Sequence, residues 1–233
     1  MALQIQYLQF FGALPILYFF VFLVAQLTLR KNDRSFLFQI ISLSFIFNTV
    51  AVIVISEILR NKFGAPFLPG IDIWHFDEIS WQMAQSGQIL DAGGLSGPAI
   101  YVLNASIFHF FGHNPLIIRI FYIFLVCLIT IFSFKIAKDL FGIVAARYTS
   151  IFVAFYPNFF IYSALPHREI LVTFFGVFTV WYFLLGIRHC KPIGLIFGSI
   201  GLVLIYWSRP EFAIMILFVI LLYIVYKRIG TDW

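Results

Sequence analysis

The chain has 233 residues, of which 62% are hydrophobic, 20% are aromatic and only 11% are charged, and its mean hydropathy is +1.00. A soluble domain carries about 25% charged residues, so this composition excludes an ordinary soluble fold and indicates a protein that lies in lipid. The formal net charge is +5. In so apolar a chain, basic residues are expected at the cytoplasmic ends of membrane spans, and no nucleic-acid partner is indicated.

The long apolar runs predict an all-α, polytopic transmembrane protein with about seven spans. A span takes about 20 apolar residues, and in lipid its backbone hydrogen bonds have to close within a helix. In chain order the candidate spans cover roughly 9–29, 35–59, 115–137, 143–165, 169–187, 193–208 and 211–227. The apolar stretch 98–111 is too short to cross and contains Asn104, Ser106 and His109, so it predicts a juxtamembrane helix at the interface.

The predicted spans divide the chain into two parts. Residues 1–34 form an N-terminal transmembrane helix and a cytoplasmic turn, and residues 35–233 form a membrane module whose external loop covers 60–114. Loops of this length in compact proteins are usually functional. We therefore expect the chemistry of the protein in this loop and beside it.

The Lys and Arg residues predict the orientation. With the N-terminus outside and the C-terminus in the cytoplasm, ten of the 15 basic residues are cytoplasmic and five are external, which the positive-inside rule favours over the inverse. The cytoplasmic set is Arg30, Lys31, Arg34, Lys135, Lys138, Arg147, Arg188, Lys191, Lys227 and Arg228, and the external set is Arg60, Lys62, Arg119, Arg168 and Arg209. The expected location is the cell inner or plasma membrane.

Most of the acidic residues fall on the external side of the same topology. They are Asp72, Asp77, Glu78, Asp91, Glu169 and Glu211. Acidic residues contribute little to topology, so their accumulation needs another explanation. Carboxylates beside arginines on one face of a membrane protein indicate a functional site on the external (periplasmic or lumenal) side.

The centre of the external loop is His75-Phe76-Asp77-Glu78. From Asp77 to Gln88 the pattern predicts a short amphipathic helix with Asp77 at its N-cap, a position that carboxylates favour. Two interpretations of Asp77 follow, one as a catalytic carboxylate and the other as a helix cap without chemistry.

A series of motifs follows in a fixed order along the chain. They are Asp77-Glu78, Trp81 and Ala84, Gly87, the helix from Pro98 to Phe111-Gly112, Arg119, Leu140-Phe141-Gly142, Pro157, His167-Arg168-Glu169 and Arg209-Pro210. From about residue 35 to 227 this order resembles the GT-C class of membrane glycosyltransferases, and within it the protein O-mannosyltransferase and aminoarabinose transferase group. The chain departs from that group at Trp81, where relatives usually have Tyr, and in being much shorter.

The resemblance implies transfer of a sugar, with inversion, from a polyprenyl-phosphate donor to a lipid, glycan or protein acceptor on the external face. Such a reaction needs a base that removes the proton of the acceptor hydroxyl. Asp77 matches the base of the family, and Glu78 is expected to support it or to help bind a divalent metal. His75 and Trp81 are further supporting residues, and no cofactor is established by the sequence.

The resemblance also assigns the donor phosphate to arginines, because a guanidinium fork suits phosphate geometry. Arg168, Arg209 and Arg119 are the candidates, with Glu169 in support. Arg168, Glu169 and Arg209 also have purely structural interpretations. Arg168 and Glu169 could only anchor a helix start at headgroup level, and Arg209 could be an interfacial residue that extends to the headgroups.

The histidines of the loop have two interpretations. His75, His109 and His113 lie near Asp77 in the sequence, but their spacing matches no tight metal motif. Interfacial histidines without a ligand are the simpler explanation.

Two other functions compete with the enzyme. The short chain favours a non-catalytic subunit or scaffold with a GT-C-derived fold that works with a partner subunit. A transporter of lipid-linked sugars is the third hypothesis, and it requires charges along a path through the spans. The spans at 115–137, 169–187 and 211–227 carry almost none.

Overall fold

The described part of the chain is helical throughout. The computed structural model describes residues 2–29, 31–64, 72–92, 94–95 and 97–229. Its helices are α1 (Ala2–Thr28), α2 (Lys31–Phe63), α3 (Asp72–Ser86), α4 (Pro98–Phe111), α5 (Pro115–Phe141), α6 (Ile143–Ala154), α7 (Pro157–Ala164), α8 (Arg168–Arg188), α9 (Pro192–Ser208) and α10 (Pro210–Ile229). No strand occurs in these ranges, which confirms the all-α prediction. Residues 65–71, 93 and 96 of the predicted external loop, and the basic Arg30, lie outside them.

Within the described ranges, four helices are long and apolar enough to cross a bilayer: Gln4–Thr28, Asp33–Phe63, Pro115–Phe141 and Arg168–Arg188. They correspond to four of the seven predicted spans. The predicted spans 193–208 and 211–227 coincide with the shorter apolar helices α9 and α10, and the predicted span 143–165 is divided between α6 and α7. The predicted juxtamembrane helix 98–111 has the same bounds as α4.

The interruption between α6 and α7 lies at Pro157. Proline has no backbone N–H, and its ring disfavours the helical conformation of the preceding residue. Tyr156 is accordingly extended, with φ −66° and ψ 121°, and the last residue of α6 is Ala154. Hydropathy alone predicted one continuous span here, because an apolar run does not reveal where the backbone leaves the helix.

Helix α5 is the centre of the bundle. It packs against α1, α2, α6 and α8, and most of its side chains are buried on every side of the helix. The surrounding helices instead expose large apolar side chains, including Leu27, Val203 and Phe218. A helix that is apolar all round belongs in a core, whereas exposed apolar helix faces of this extent are expected to contact lipid.

Helices α8 and α9 are closely packed neighbours. A Cβ atom added at Gly194 of α9 would lie 2.5 Å from the backbone nitrogen of Gly186 in α8. Small residues allow helix backbones to approach one another in membranes. The close packing continues along the pair, because a Cβ atom at Gly201 of α9 would clash with Thr179 of α8. At the opposite end of the pair, Arg209 Nη2 lies 2.6 Å from Glu169 Oε1.

The charged side chains gather at two ends of the bundle. The Asp77 end contains Glu57, Arg60, Asp77, Arg119, Arg168, Glu169 and Arg209, and the Lys135 end contains Asp33, Lys135, Lys138, Asp139, Arg188 and Lys191. For the basic residues named here, this grouping agrees with the division that the charge count predicts. Which end faces the cytoplasm stays a prediction.

Candidate functional site

Asp77 lies in the second turn of α3, on the face that the helix buries. The buried residues of α3 recur at helical spacing and are Ile73, Phe76, Asp77, Ser80, Met83 and Ala84. The predicted helix start at Asp77 is wrong, because Ile73 and Phe76 continue the buried stripe and the helix begins at Asp72. Asp77 is therefore not an N-cap, and a capping role does not account for its burial.

The carboxylate of Asp77 is paired with His113. Asp77 Oδ2 lies 2.7 Å from His113 Nε2, and only 8% of Asp77 is exposed. Burying a carboxylate without a partner is costly, so this hydrogen bond explains how the site is tolerated. Trp81 lies one turn beyond Asp77 on α3, and its ring stacks on the imidazole with centroids 5.1 Å apart. Helix α3 thus supplies both the carboxylate and the aromatic surface that hold His113.

His113 is presented by a turn that several contacts fix in place. Gly112 ends α4 at φ 74° and donates its backbone N–H to Phe108 O at 2.8 Å. The side chain of Asn114 caps α5 and donates to Gln9 Oε1 of α1 at 2.7 Å. The ring of Phe108 packs against the imidazole at 4.9 Å. The turn between α4 and α5 therefore holds His113 against Asp77.

Arg119 is completely buried in the first part of α5. Its Nη1 donates a hydrogen bond to Ser56 Oγ of α2, and its positive charge interacts with the carboxylate of Asp77. Arg119 thus lies near enough to Asp77 for the two charges to interact. This position favours a role as a counter-charge for the buried carboxylate over direct contact with the phosphate of an incoming lipid.

A small cavity lies beside Asp77. Its walls are Ile73, Phe76, Asp77, Asn104, Pro115, Ile118 and Pro166. The side-chain oxygen of Asn104 is buried and accepts no hydrogen bond from the described residues. Buried polar atoms normally have a partner, so a hydroxyl or a water molecule in this cavity would satisfy Asn104. A carboxylate and an unsatisfied amide oxygen thus line the same small cavity.

The predicted arginines Arg168 and Arg209 differ in their surroundings. Arg209 forms its 2.6 Å ion pair with Glu169, which compensates its charge. Arg168 begins α8, and none of the described carboxylates lies within ion-pair distance of it. Of the two, Arg168 has the positive charge that the described carboxylates leave uncompensated.

Arg168 lies beside the point where the start of α4 meets the end of α9. A Cβ atom at Gly97 would lie 3.6 Å from Arg168 Nη1 and 2.7 Å from the backbone oxygen of Ser208, and Gly97 has φ 72°. Only glycine fits such a close approach at a left-handed backbone. The start of α4 therefore packs directly on the end of α9, beside Arg168.

Two titratable groups next to Arg168 are neutral at pH 7. Burial raises the pKa of Tyr101 above its ordinary value, although the charge of Arg168 opposes this effect. Burial lowers the pKa of His167 below its ordinary value, which Glu169 opposes and Arg168 reinforces. A protonated phenol and an uncharged imidazole therefore accompany the Arg168 guanidinium.

Aromatic side chains lie between the Asp77–His113 pair and Arg168. Phe76 packs edge-on against Tyr101 at 5.2 Å and against His167 at 6.5 Å. Pro166, two residues before Arg168, lines the same cavity as Asp77. The carboxylate and the guanidinium thus lie at one end of the bundle with this aromatic layer between them.

Three candidates from the sequence lie away from this centre. Glu78 is exposed and accepts a hydrogen bond from Gln82 Nε2 at 2.9 Å. His75 and His109 are also exposed, and neither contacts Asp77 in the described structure. In the ranges that the structure describes, no group of three or more His, Cys, Asp or Glu side chains could hold a metal ion. Asp77 and His113 alone would supply two ligands.

The pairing of His113 with Asp77 was missed by the sequence interpretation, which treated the histidine as interfacial. A useful signal was its place in the turn Gly112-His113-Asn114 on the predicted external side, beside the aromatic end of α4. In the sequence, Asn104 is recognisable only as a polar residue in an apolar helix. Such a residue in a juxtamembrane helix points toward protein more often than toward lipid.

A comparison with protein families agrees with the motif order. The family model for dolichyl-phosphate-mannose-protein mannosyltransferase matches residues 96–233, more than half of the chain. The match includes His113, Arg119, Arg168 and Arg209 and begins after Asp77. No curated protein and no solved structure matches the chain. The family match confirms the resemblance stated from the motifs.

Proposed function

Since the chain belongs to the dolichyl-phosphate-mannose-protein mannosyltransferase family, we propose that it transfers a sugar from a polyprenyl-phosphate donor to an acceptor hydroxyl at the Asp77 end. Family membership and the apolar helices make the protein a multi-pass membrane glycosyltransferase. The donor, the acceptor and the catalytic residues are our inference. The proposal rests on one observation: the buried Asp77 lines a cavity, is hydrogen-bonded to His113 and has the charge of Arg119 nearby.

In the proposed reaction Asp77 is the general base. The acceptor oxygen forms a bond to C1 of the sugar while its proton moves to the Asp77 carboxylate. The bond between C1 and the phosphate oxygen breaks, and the polyprenyl phosphate leaves with the electron pair. Attack from the side opposite the leaving group inverts the configuration at C1. A positioned carboxylate typically accelerates such a proton transfer about a hundredfold or more.

His113 orients the base. With the proton on Nε2, the imidazole donates its hydrogen bond to Asp77 Oδ2 and leaves Oδ1 for the acceptor hydroxyl. The stacking on Trp81 fixes the plane of the ring. Asn104 lines the same cavity, and its unsatisfied oxygen can accept a hydrogen bond from another hydroxyl of the acceptor or from water.

Arg168 is the residue we propose for the departing phosphate. Its charge is not compensated by a described carboxylate, whereas that of Arg209 is compensated by Glu169. A guanidinium can hold two phosphate oxygens at once and stabilises charge that develops during bond breaking. Tyr101 lies next to Arg168, and its protonated phenol can add a hydrogen bond to the same phosphate.

A second candidate function has an observation of its own. The cavity beside Asp77 is small, and a sugar fits only after the surrounding helices move. A partner subunit that opens this region, or that supplies the acceptor site, would make the chain one component of an enzyme. The non-catalytic subunit remains the alternative proposal. In both proposals, the Asp77 end of the bundle faces the external side of the membrane.

The test is a transfer assay in membranes with a panel of polyprenyl-phosphate sugars, polyprenyl-phosphate mannose first. The change Asp77→Asn keeps the size of the side chain and removes the base, so transfer should fall by more than about a hundredfold. The matched control is Glu78→Gln, which changes the neighbouring carboxylate on the exposed face of α3. Transfer by the Glu78→Gln variant should fall by less than about tenfold.

Two results would contradict the proposal. Equal transfer by the wild type and Asp77→Asn would leave Asp77 without a chemical role. Absence of transfer from a folded wild-type preparation across the panel, with activity gained only after a second membrane protein is added, would favour the subunit. Thermal unfolding of each variant in detergent verifies that a lost activity is not a lost fold.

A further inference from the structure

A second cavity lies at the Lys135 end of the bundle. Its volume is about 620 Å³, and its walls come from the end of α1, the start of α2, α5 and α8. It is separate from the cavity beside Asp77, which shares none of its residues. Specific ligand pockets have volumes of about 300–1,000 Å³, so this cavity is large enough for a small molecule or a lipid headgroup.

The two carboxylates of this cavity are already matched by cations. Asp33 forms an ion pair with Lys138. Asp139 lies 3.4 Å from Arg188 Nη1 and 3.0 Å from His189 Nε2. The negative charge that lines the cavity is thus compensated within the protein.

Lys135 is different from these paired groups. Its ammonium lies 4.4 Å from the ring centre of Trp181 and 5.6 Å from that of Phe132. In the described chain no carboxylate is within 4 Å of it, and Lys191 on the rim also lacks an ion pair. Aromatic rings attract a cation without neutralising it. The cavity therefore contains positive charge that a bound anion would neutralise.

We propose that this cavity binds the phosphate headgroup of an anionic lipid. Lys135 and Lys191 would contact the phosphate, and Trp181 and Tyr182 would border the glycerol region, where such rings are typically found in membranes. The apolar Leu27 is largely exposed on the cavity's edge. Basic pockets between membrane helices are a known form of anionic headgroup site, and an apolar edge favours a lipid over free phosphate.

The proposed site is independent of the transfer reaction. It lies at the end of the bundle opposite Asp77 and uses none of the residues assigned to the sugar donor. Loss of lipid binding there would leave the catalytic proposal intact, and failure of the transfer assay would leave the lipid site intact.

Native mass spectrometry of the purified full-length protein tests the proposal. Phosphatidylglycerol and phosphatidylcholine are titrated separately onto delipidated protein in detergent. We expect retention of phosphatidylglycerol and a roughly fivefold weaker affinity in Lys135→Met, since one basic residue near a membrane surface contributes about that factor. Lys135→Arg should keep the affinity within about twofold.

The matched control is Lys62→Met. Lys62 also lies over an aromatic ring, at 5.5 Å from Phe63, but it is outside the cavity. This variant should bind phosphatidylglycerol like the wild type. If Lys135→Met does not fold, Lys191→Met on the exposed rim provides the same test with an expected loss of about threefold.

Three outcomes would overturn the proposal. The first is equal retention of phosphatidylcholine and phosphatidylglycerol by the wild type. The second is unchanged phosphatidylglycerol affinity in both lysine-to-methionine variants of the cavity. The third is displacement of the bound lipid by millimolar inorganic phosphate, which would assign the site to a free anion.

Discussion

Each end of the bundle buries one aspartate, and the two differ in their partners. Asp33 at the Lys135 end is 7% exposed and is paired with the ammonium of Lys138. Asp77 is 8% exposed and is paired with the imidazole of His113, beside a cavity. A full positive charge compensates the first carboxylate. The second is held by a hydrogen bond, has the charge of Arg119 nearby rather than in a direct ion pair, and borders space that a substrate group can enter.

The arginines of the two ends show the same contrast. Arg188 at the Lys135 end binds the backbone oxygen and the carboxylate of Asp139. Arg168 at the Asp77 end has no described carboxylate partner and lies beside Tyr101. Burial and charge alone do not distinguish a structural residue from a functional one. Here a residue is assigned a structural role when the protein itself supplies a partner for its charge. It is assigned a functional role when a substrate group could supply that partner.

The largest expected effect concerns the glycines at the two ends. Gly97 at the Asp77 end and Gly142 at the Lys135 end both have positive φ, but only Gly97 faces the backbone of another helix. Gly97→Ala should reduce stability by about 2–4 kcal/mol, from backbone strain and overpacking together. Gly142 has φ 87° and ψ −178°, a conformation that is essentially restricted to glycine, so Gly142→Ala should cost about 1–3 kcal/mol from strain alone. An unchanged thermal unfolding temperature in Gly97→Ala would contradict the close packing of α4 on α9.

Replacement of Arg168 should have the next largest effect. A hydrogen bond to a charged group contributes about 1.5–3 kcal/mol, so Arg168→Gln should lower kcat/KM for the donor by about tenfold to a hundredfold. Arg209→Gln should have a smaller effect, because Glu169 already compensates Arg209. Steady-state kinetics with varied donor measures both, with Arg188→Gln as the control from the other end. A larger loss in Arg209→Gln than in Arg168→Gln would reverse the assignment.

The smallest of these effects is expected at His113. His113→Phe keeps a ring against Trp81 and removes the hydrogen bond to Asp77, so kcat should fall about tenfold while the donor KM changes less than twofold. His113→Gln restores a donor and should recover part of kcat. A fall in both variants with equal loss of thermal stability would indicate a purely structural contact.

Much of the fold could be predicted from local features of the sequence. The bounds of α4 agree with the predicted 98–111, and α5 starts at the predicted residue 115, because Pro98 and Pro115 mark helix starts and an apolar run follows each. The interruption at Pro157 was visible as a proline. Its consequence depends on whether neighbouring helices accommodate a kink, and a single sequence does not contain that information.

The site was less predictable, because it depends on contacts between distant parts of the chain. Asp77 and His113 are 36 residues apart, and their meeting requires α4 to fold back along α3. The neutralisation of Arg209 by Glu169 likewise depends on the close packing of α8 and α9. Hydropathy and charge placed these groups on one side of the membrane. They could not tell which groups become partners.

The most direct test compares the same substitution at the two buried aspartates. Transfer and thermal unfolding are measured side by side for Asp77→Asn and Asp33→Asn. We expect Asp77→Asn to lose more than about a hundredfold of transfer while it remains folded, and to lose some stability because the buried Arg119 keeps its charge without this carboxylate. Asp33→Asn should retain transfer within about threefold and lose about 1–3 kcal/mol of stability, because Lys138 is left without its partner. The opposite pattern, with transfer lost at Asp33 and kept at Asp77, would contradict the assignment of the Asp77 end as the catalytic one.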